Sequence, residues 1–290
     1  MSVFEARLPE LSESEARGDL AVIYGEIRSF ARLPFVALLY RHLATRPGVL
    51  PWLWQALRPE FASGAIPDAA SRLAEVARLP IVAPVRAAQW RMAGLTAEDR
   101  GSIAHVLDAY DRANPINLLV ARLSVRLLVG GDVVAAPVTV SKPLDRANRP
   151  ARPAIPRLPP LLPASAIPAE ISTRLARLAN FGQPAAGAMT PSLYRHLAHW
   201  PGYLALLPER LETAFLDGAV VRAVEAYRQA ADAESIQLEP PACVALADRD
   251  RPSPQALGDL PATLEAFAAL IPEMIAVGRL ARAMLPREPI

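Results

Sequence analysis

Hydrophobic residues recur at helical spacing along most of the chain, and this pattern predicts an all-α fold. The segments that carry the spacing are residues 20–30, 69–79, 87–92, 97–111, 116–129, 219–231 and 257–284. Residues 116–129 are apolar around most of their circumference, which predicts a central, buried helix. Strand-like character is confined to the short pieces 133–140 and 236–238.

Residues that begin and end helices mark several boundaries. Asp19 is expected to cap the first helix, and Thr96 with Asp99 has the spacing of a capping box. Pro115 is suited to the first turn of a helix and is expected to open the segment 116–129. Prolines at 261 and 272 are expected to interrupt the last helical segment.

An eleven-residue sequence occurs twice. Residues 40–50 and 194–204 are identical at eight of eleven positions, 154 residues apart. In each copy Pro47 or Pro201 ends a helix and Gly48 or Gly202 supplies a turn. The sequence therefore predicts a helix–turn–helix hairpin in each half.

The repeat extends beyond these copies, because residues 115–128 match residues 272–285. Between the halves, eight of the 27 residues at 137–163 are proline, which predicts a semi-extended linker over the surface. We expect a first helical repeat at 1–136, the linker at 137–163, and a second repeat at 164–290. Together they form an intramolecular pseudo-dimer.

Composition narrows the class of protein. The 290 residues are 52% hydrophobic and carry a net charge of +2, which gives no electrostatic reason to expect nucleic acid or an anionic membrane. The single cysteine, Cys243, excludes a disulfide framework and a cysteine-based zinc site. We expect no signal peptide and no membrane span, and hence a soluble cytoplasmic protein.

Few residues suggest chemistry on their own. His196 and His199 are three apart on one predicted helix without a nearby carboxylate, so we interpret them as structural and expect no metal. The glycine motifs of nucleotide sites are absent, and no cofactor is expected. Asn114 precedes the buried helix, whereas the second half has Ile271 at the matching place. Asn114 is either a site residue or a helix cap.

Several short sequences occur in the order found in a known family. They are residues 33–37, residues 43–48, Asn114–Pro115 with Leu118–Leu119, residues 129–131 and residues 197–201. With them the chain resembles, over nearly its full length, the group I 2-haloacid dehalogenases, which act on both D- and L-2-haloalkanoic acids. The resemblance implies two helical repeats, a site between them and no cofactor.

In that family an aspartate activates a water that attacks the halogen-bearing carbon directly, without a covalent enzyme ester. The resemblance implies that Asn114 helps to place this water. Phe35 stands where the family has tryptophan, Leu38 replaces another aromatic residue, and Phe267 stands at a tyrosine position. The implied pocket residues are Phe35, Leu38, Ser192, Leu193, Phe267 and Ile271.

The position of the catalytic aspartate is occupied by Leu193, which cannot accept a proton. Residues 182–194 contain no carboxylate, so a replacement base would have to come from another helix, as Asp108, Asp111 or Glu273. We expect a family member with a pocket for a small carboxylic acid that is weak or inactive in hydrolysing carbon–halide bonds.

Two alternatives stay open. One is a hydrolase of altered chemistry that uses another carboxylate. The other is a non-catalytic structural or partner-binding protein whose pocket has closed. In each case a homodimer is a further expectation.

Overall fold

A computed structural model describes residues 8–129, 156–173, 175, 190–245 and 250–287. These residues contain helices and no strand, which confirms the all-α prediction. The helices are α1 (Gly18–Ala31), α2 (Leu38–Leu43), α3 (Val49–Ser63), α4 (Ala65–Ala74), α5 (Ala87–Met92), α6 (Ala97–Val129), α7 (Ser192–Leu197), α8 (Pro201–Leu216), α9 (Ala219–Ala245), α10 (Pro254–Leu257) and α11 (Leu260–Ala283).

Helices α6 and α11 form the centre of the molecule. They pack along each other, and α9 packs against both of them. Helix α6 also contacts α4 and α7. Residues 118–121 of α6 are fully buried, as the apolar pattern of this segment predicted.

Two prolines lie inside these central helices, where the sequence predicted breaks. Helix α6 runs unbroken through Pro115, and α11 runs through Pro272, so both predictions are wrong. A proline removes one backbone hydrogen bond, but both residues are buried among helices that hold the segment in place. Asn114 is therefore in a helix interior, and the interpretation of Asn114 as a helix cap is excluded.

The two predictions about helix N-termini had different outcomes. The capping box is confirmed, because the Asp99 carboxylate accepts from the Thr96 amide at 2.7 Å and Thr96 Oγ1 accepts from the Asp99 amide at 3.2 Å. The N-cap of α1 is Arg17, and Asp19 lies in the first turn, where its charge favours the helix dipole. Residues 236–238 belong to α9, because Leu238 continues its buried face; residues 133–140 lie outside the described part of the chain.

The two copies of the repeated sequence form the predicted hairpins, α2–α3 and α7–α8. The glycines of the two hairpins meet different structural requirements. Gly48 has φ 75° and precedes α3, whereas Gly202 lies within α8, where a Cβ would collide with the carbonyl oxygen of Ala93. Superposition of the two halves and the boundaries at 136 and 163 stay predictions. Most of the linker lies outside the described residues.

One described segment, Pro254–Ala283, is long and apolar enough to cross a membrane by length and composition alone. Of its most apolar window, 61% is buried inside the protein. Much of the segment is α11, which packs against α6, α8 and α9, and such burial is typical of the core helix of a soluble protein.

Candidate functional site

A cavity of about 460 Å³ lies among α2, α6, α7 and α11. Part of its wall comes from residues 12–14 and 158–161. All seven site residues expected from the sequence line this cavity: Phe35, Leu38, Asn114, Ser192, Leu193, Phe267 and Ile271. Residues from both halves of the chain therefore meet in one enclosed space.

The polar wall is built from two helices. Tyr110 and Asn114 are one turn apart on α6, and Ser192 and His196 are one turn apart on α7, so each pair shares a helix face. Tyr110 and His196 join the two helices through a buried hydrogen bond of 2.7 Å between Oη and Nδ1. The rings of Phe35 and Tyr110 lie 5.1 Å apart beside this bond.

The hydrogen bonds of His196 define its tautomer. Nε2 lies 3.2 Å from the carbonyl oxygen of Pro159, which can only accept. Nε2 therefore carries the proton, and Nδ1 accepts the hydrogen of Tyr110. Burial lowers the pKa of His196 to about 4, and the positive charges of Arg41 and Arg195 act in the same direction. At neutral pH this imidazole is uncharged.

Leu193 belongs to the apolar wall. Its side chain is 1% exposed and its Cδ2 packs beside Gly278 of α11. Phe267 and Ile271, one turn apart on α11, continue the same surface. Residue 193 therefore presents a hydrocarbon side chain, with no proton acceptor, to this part of the cavity.

Carboxylates expected as replacements do not line the cavity. Asp108 is paired with Arg282 at 2.7 Å, and Asp111 with Arg279 at 2.6 Å. Glu273 is buried, and burial raises its pKa to about 7, but it too is absent from the cavity wall.

The carboxylate that does line the cavity among the described residues is Glu13. One oxygen accepts from the amide of Val36 at 2.8 Å, and the other pairs with Arg28 at 2.6 Å. Both oxygens are already engaged, which makes Glu13 a poor candidate for a base.

Several residues of the cavity wall were not among those expected from the sequence. Arg41 and His196 both belong to the repeated sequence and both line the wall, although His196 was expected to be structural. Helical spacing could have found two of the missed side chains, because Tyr110 precedes Asn114 by one turn and His196 follows Ser192 by one turn.

The end of the predicted linker was expected on the surface, but residues 158–161 close one side of the cavity. Carbonyl oxygens of this segment accept hydrogen bonds from α7 and the turn after it. Pro159 accepts from His196, Pro160 lies 2.8 Å from Nε2 of His199, and Leu162 accepts from Nε of Arg195 at 2.7 Å. The described residues contain no group of three or more histidine, cysteine or acidic side chains able to hold a metal.

An enclosed, largely apolar cavity with a few convergent polar groups, set between helices, is typical of a protein that binds a small organic molecule. No family model matches the chain. Two curated proteins do, both described as configuration-inverting 2-haloacid dehalogenases. The one from Alcaligenes xylosoxydans xylosoxydans is 32% identical over 144 residues, which is 48% of each chain. The one from Pseudomonas sp. (strain 113) is 27% identical over 112 residues, 38% of this chain and 36% of the relative.

Solved structures of D-2-haloacid dehalogenases share the fold. A mutant in complex with D-2-CPA has a TM-score of 0.66 at 19% identity, covering 97% of this chain and 98% of its own. A complex with L-LA has a TM-score of 0.65 at 18% identity, covering 96% and 97%. The sequence matches span about half the length, or less, of the curated relatives. In sequence, therefore, the chain is similar to 2-haloacid dehalogenases over about half of its length or less, and over nearly its whole length it shares the fold of D-2-haloacid dehalogenases.

Proposed function

We propose that this protein binds a small carboxylic acid in the cavity and hydrolyses carbon–halide bonds weakly or not at all. The observation that carries the proposal is Leu193. By its resemblance to the group I enzymes, Leu193 corresponds to their catalytic aspartate, and its side chain lies in the cavity wall beside Ser192. Attack by water needs an acceptor for the proton, and a leucine side chain has none.

The remaining residues support binding better than turnover. Asn114 can hold a water or a ligand oxygen through its amide, but an amide does not take up a proton at neutral pH. General-base catalysis contributes about 10²–10⁴-fold, so its loss leaves a small fraction of a family member's rate. Binding by the apolar wall and the polar helices does not depend on that base.

Halide release from D- and L-2-chloropropionate, together with calorimetric titration of both acids, tests this proposal. We expect measurable binding and little halide from the purified protein. Rapid release of halide from either enantiomer would show that another residue serves as the base. Absence of any binding at millimolar acid would remove the ligand-binding function.

A second candidate is a hydrolase of altered chemistry, and the Tyr110–His196 pair favours it. Nδ1 of His196 is an uncharged acceptor with a pKa of about 4, close to the value of about 3.9 for an ordinary aspartate. A water beside Tyr110 could pass its proton to the phenol oxygen while the phenol proton moves to Nδ1. Under this reading Tyr110→Phe abolishes residual halide release, whereas under the first proposal it leaves a negligible rate unchanged.

The third possibility, a structural protein with a closed cavity, is less well supported. The space between the helices is not filled, because a cavity of about 460 Å³ remains, and both Asn114 and Ser192 line it. We further propose that the two halves form an intramolecular pseudo-dimer, that the protein is cytoplasmic and that it assembles as a homodimer. Light scattering after gel filtration tests the assembly.

A further inference from the structure

We propose that Arg41 binds the carboxylate of the ligand, and that the ligand is a monocarboxylic acid whose apolar substituent is larger than the groups of a 2-halopropionate. This inference rests on the proposed acid-binding function and adds to it a receptor residue and a class of ligand.

The charges of the cavity wall single out Arg41. Among the described residues of the wall, the side chains that carry a charge at neutral pH are Glu13 and Arg41. Glu13 is neutralised by Arg28, as described above. An anion entering the cavity therefore meets Arg41 as its available counter-charge.

Among the described residues, the carboxylate that pairs with Arg41 is shared with a second cation. Glu10 lies 2.9 Å from Arg41 and 3.1 Å from Arg195, so two guanidinium groups share one carboxylate. The three side chains are only 11–14% exposed and carry a net charge of +1. A buried net charge is costly, and a bound carboxylate would remove that cost.

Arg41 also retains a free donor. Its Nε is buried and has no hydrogen-bond partner among the described residues. A guanidinium group binds a carboxylate well through two parallel hydrogen bonds, and an unpartnered Nε is one of the donors that this arrangement uses. His196, whose pKa the charges of Arg41 and Arg195 lower, lines the same cavity as Arg41.

The rest of the cavity decides the size and polarity of the ligand. A volume of about 460 Å³ falls in the range of sites for drug-sized molecules, far larger than a three-carbon acid. Leu193, Phe267 and Ile271 offer no hydrogen bond to a polar substituent. An aryl or branched alkyl group fits this surface, because burying apolar area is favourable.

The test uses 2-phenylpropionate as the probe, with 2-phenylpropionamide as its uncharged analogue and 2-chloropropionate for size. Calorimetric titration of the wild type at neutral pH is expected to show the acid binding about 10- to 100-fold more tightly than the amide. 2-Phenylpropionate is also expected to bind more tightly than 2-chloropropionate. Arg41→Gln should lose the preference for the acid, and Arg41→Lys should retain part of it.

Two further variants separate direct contact between Arg41 and the ligand carboxylate from the long-range effect of nearby positive charge. Arg195→Gln lowers the net charge but leaves Arg41 in place, so it should weaken acid binding less than Arg41→Gln does. Arg58→Gln removes an exposed cation that pairs with Glu26 away from the cavity, and should leave binding unchanged.

The outcomes distinguish failure of the proposed role of Arg41, or of the proposed ligand size, from failure of the proposed acid-binding function. Equal affinity for acid and amide, or an equal loss in the Arg195 and Arg41 variants, overturns the role of Arg41 while acid binding stands. Tighter binding of 2-chloropropionate overturns the size of the ligand. Absence of binding by every acid overturns the proposed function as well. The comparison of acid with amide needs only the wild type, so it holds even if Arg41→Gln fails to fold.

Discussion

Tyr110 and His196 hydrogen bond across the cavity, at 2.7 Å between Oη and Nδ1. The bond links α6 in the first half of the chain to α7 in the second, and the carbonyl of Pro159 completes the chain of donors and acceptors. Three segments far apart in sequence thus depend on one uncharged imidazole. Protonation of His196 would give Nδ1 a hydrogen where it now accepts one, and would place a third positive charge near Arg41 and Arg195.

Stability should therefore fall as acid protonates this histidine. The pKa of His196 is about 4 in the folded protein and 6.5 for an ordinary histidine, so the unfolded chain binds the proton more readily. The contribution of the uncharged His196 to the free energy of unfolding is fully present above pH 6.5. It is lost as the pH falls towards 4, by up to about 3 kcal/mol. Urea unfolding of His196→Gln at pH 7.5 and 4.5 should lack this loss, whereas the exposed His105→Gln should retain it.

Glu273 should act with the opposite sign. Burial raises its pKa to about 7 from 4.5, so the folded protein binds the proton more readily, and stability is lost as pH rises from 4.5 through 7. Glu273→Gln should raise the unfolding free energy by up to about 3 kcal/mol at pH 8 and change it little at pH 4.5. Glu209→Gln, at an exposed position, is the matched control. An equal effect at both pH values would contradict the assignment.

Leu193→Asp should place a carboxylate in the cavity that Asn114 also lines, and with it should allow some release of halide. Desolvation raises the pKa of a buried aspartate by up to about 3–5 units, so activity should increase as pH rises above neutrality. The variant should be less stable than the wild type, since it buries a polar group in a hydrocarbon wall. Leu193→Asn introduces a side chain of nearly the same shape as aspartate but without a base, and this variant should stay inactive. Halide release from it would exclude general-base catalysis by residue 193.

Phe267→Tyr should give His42 the partner that His196 already has. Phe267 follows Tyr110 by 157 residues, the offset of Pro272 from Pro115, and its ring lies 6.3 Å from that of His42. Nδ1 of His42 lies 2.8 Å from the carbonyl oxygen of Pro9, while Nε2 is buried and has no hydrogen-bond partner in the described part of the chain. A hydroxyl that reaches Nε2 should stabilise the protein by about 1 kcal/mol in thermal unfolding, whereas Phe267→Leu, which removes the ring, should destabilise it.

Helical periodicity was sufficient for the fold class and for most helices, because burial on one face leaves a direct trace in the sequence. Pro115 shows where local rules fail, since a proline that would end an isolated helix is retained by packing on all sides. The resemblance placed seven residues at one cavity. Arg41 escaped notice because both copies have arginine there, and only the fold shows that the two arginines share Glu10.

The glycines at matching positions of the two hairpins, Gly48 and Gly202, are required for different structural reasons. Gly48 is held by its backbone angle, which asparagine tolerates better than other side chains do. Gly202 is held by the nearness of Ala93, and no residue with a Cβ fits without moving the α5–α6 connection. Homologues should accept asparagine at the first position and only glycine at the second, and a protein rebuilt from two identical halves would therefore need glycine at both.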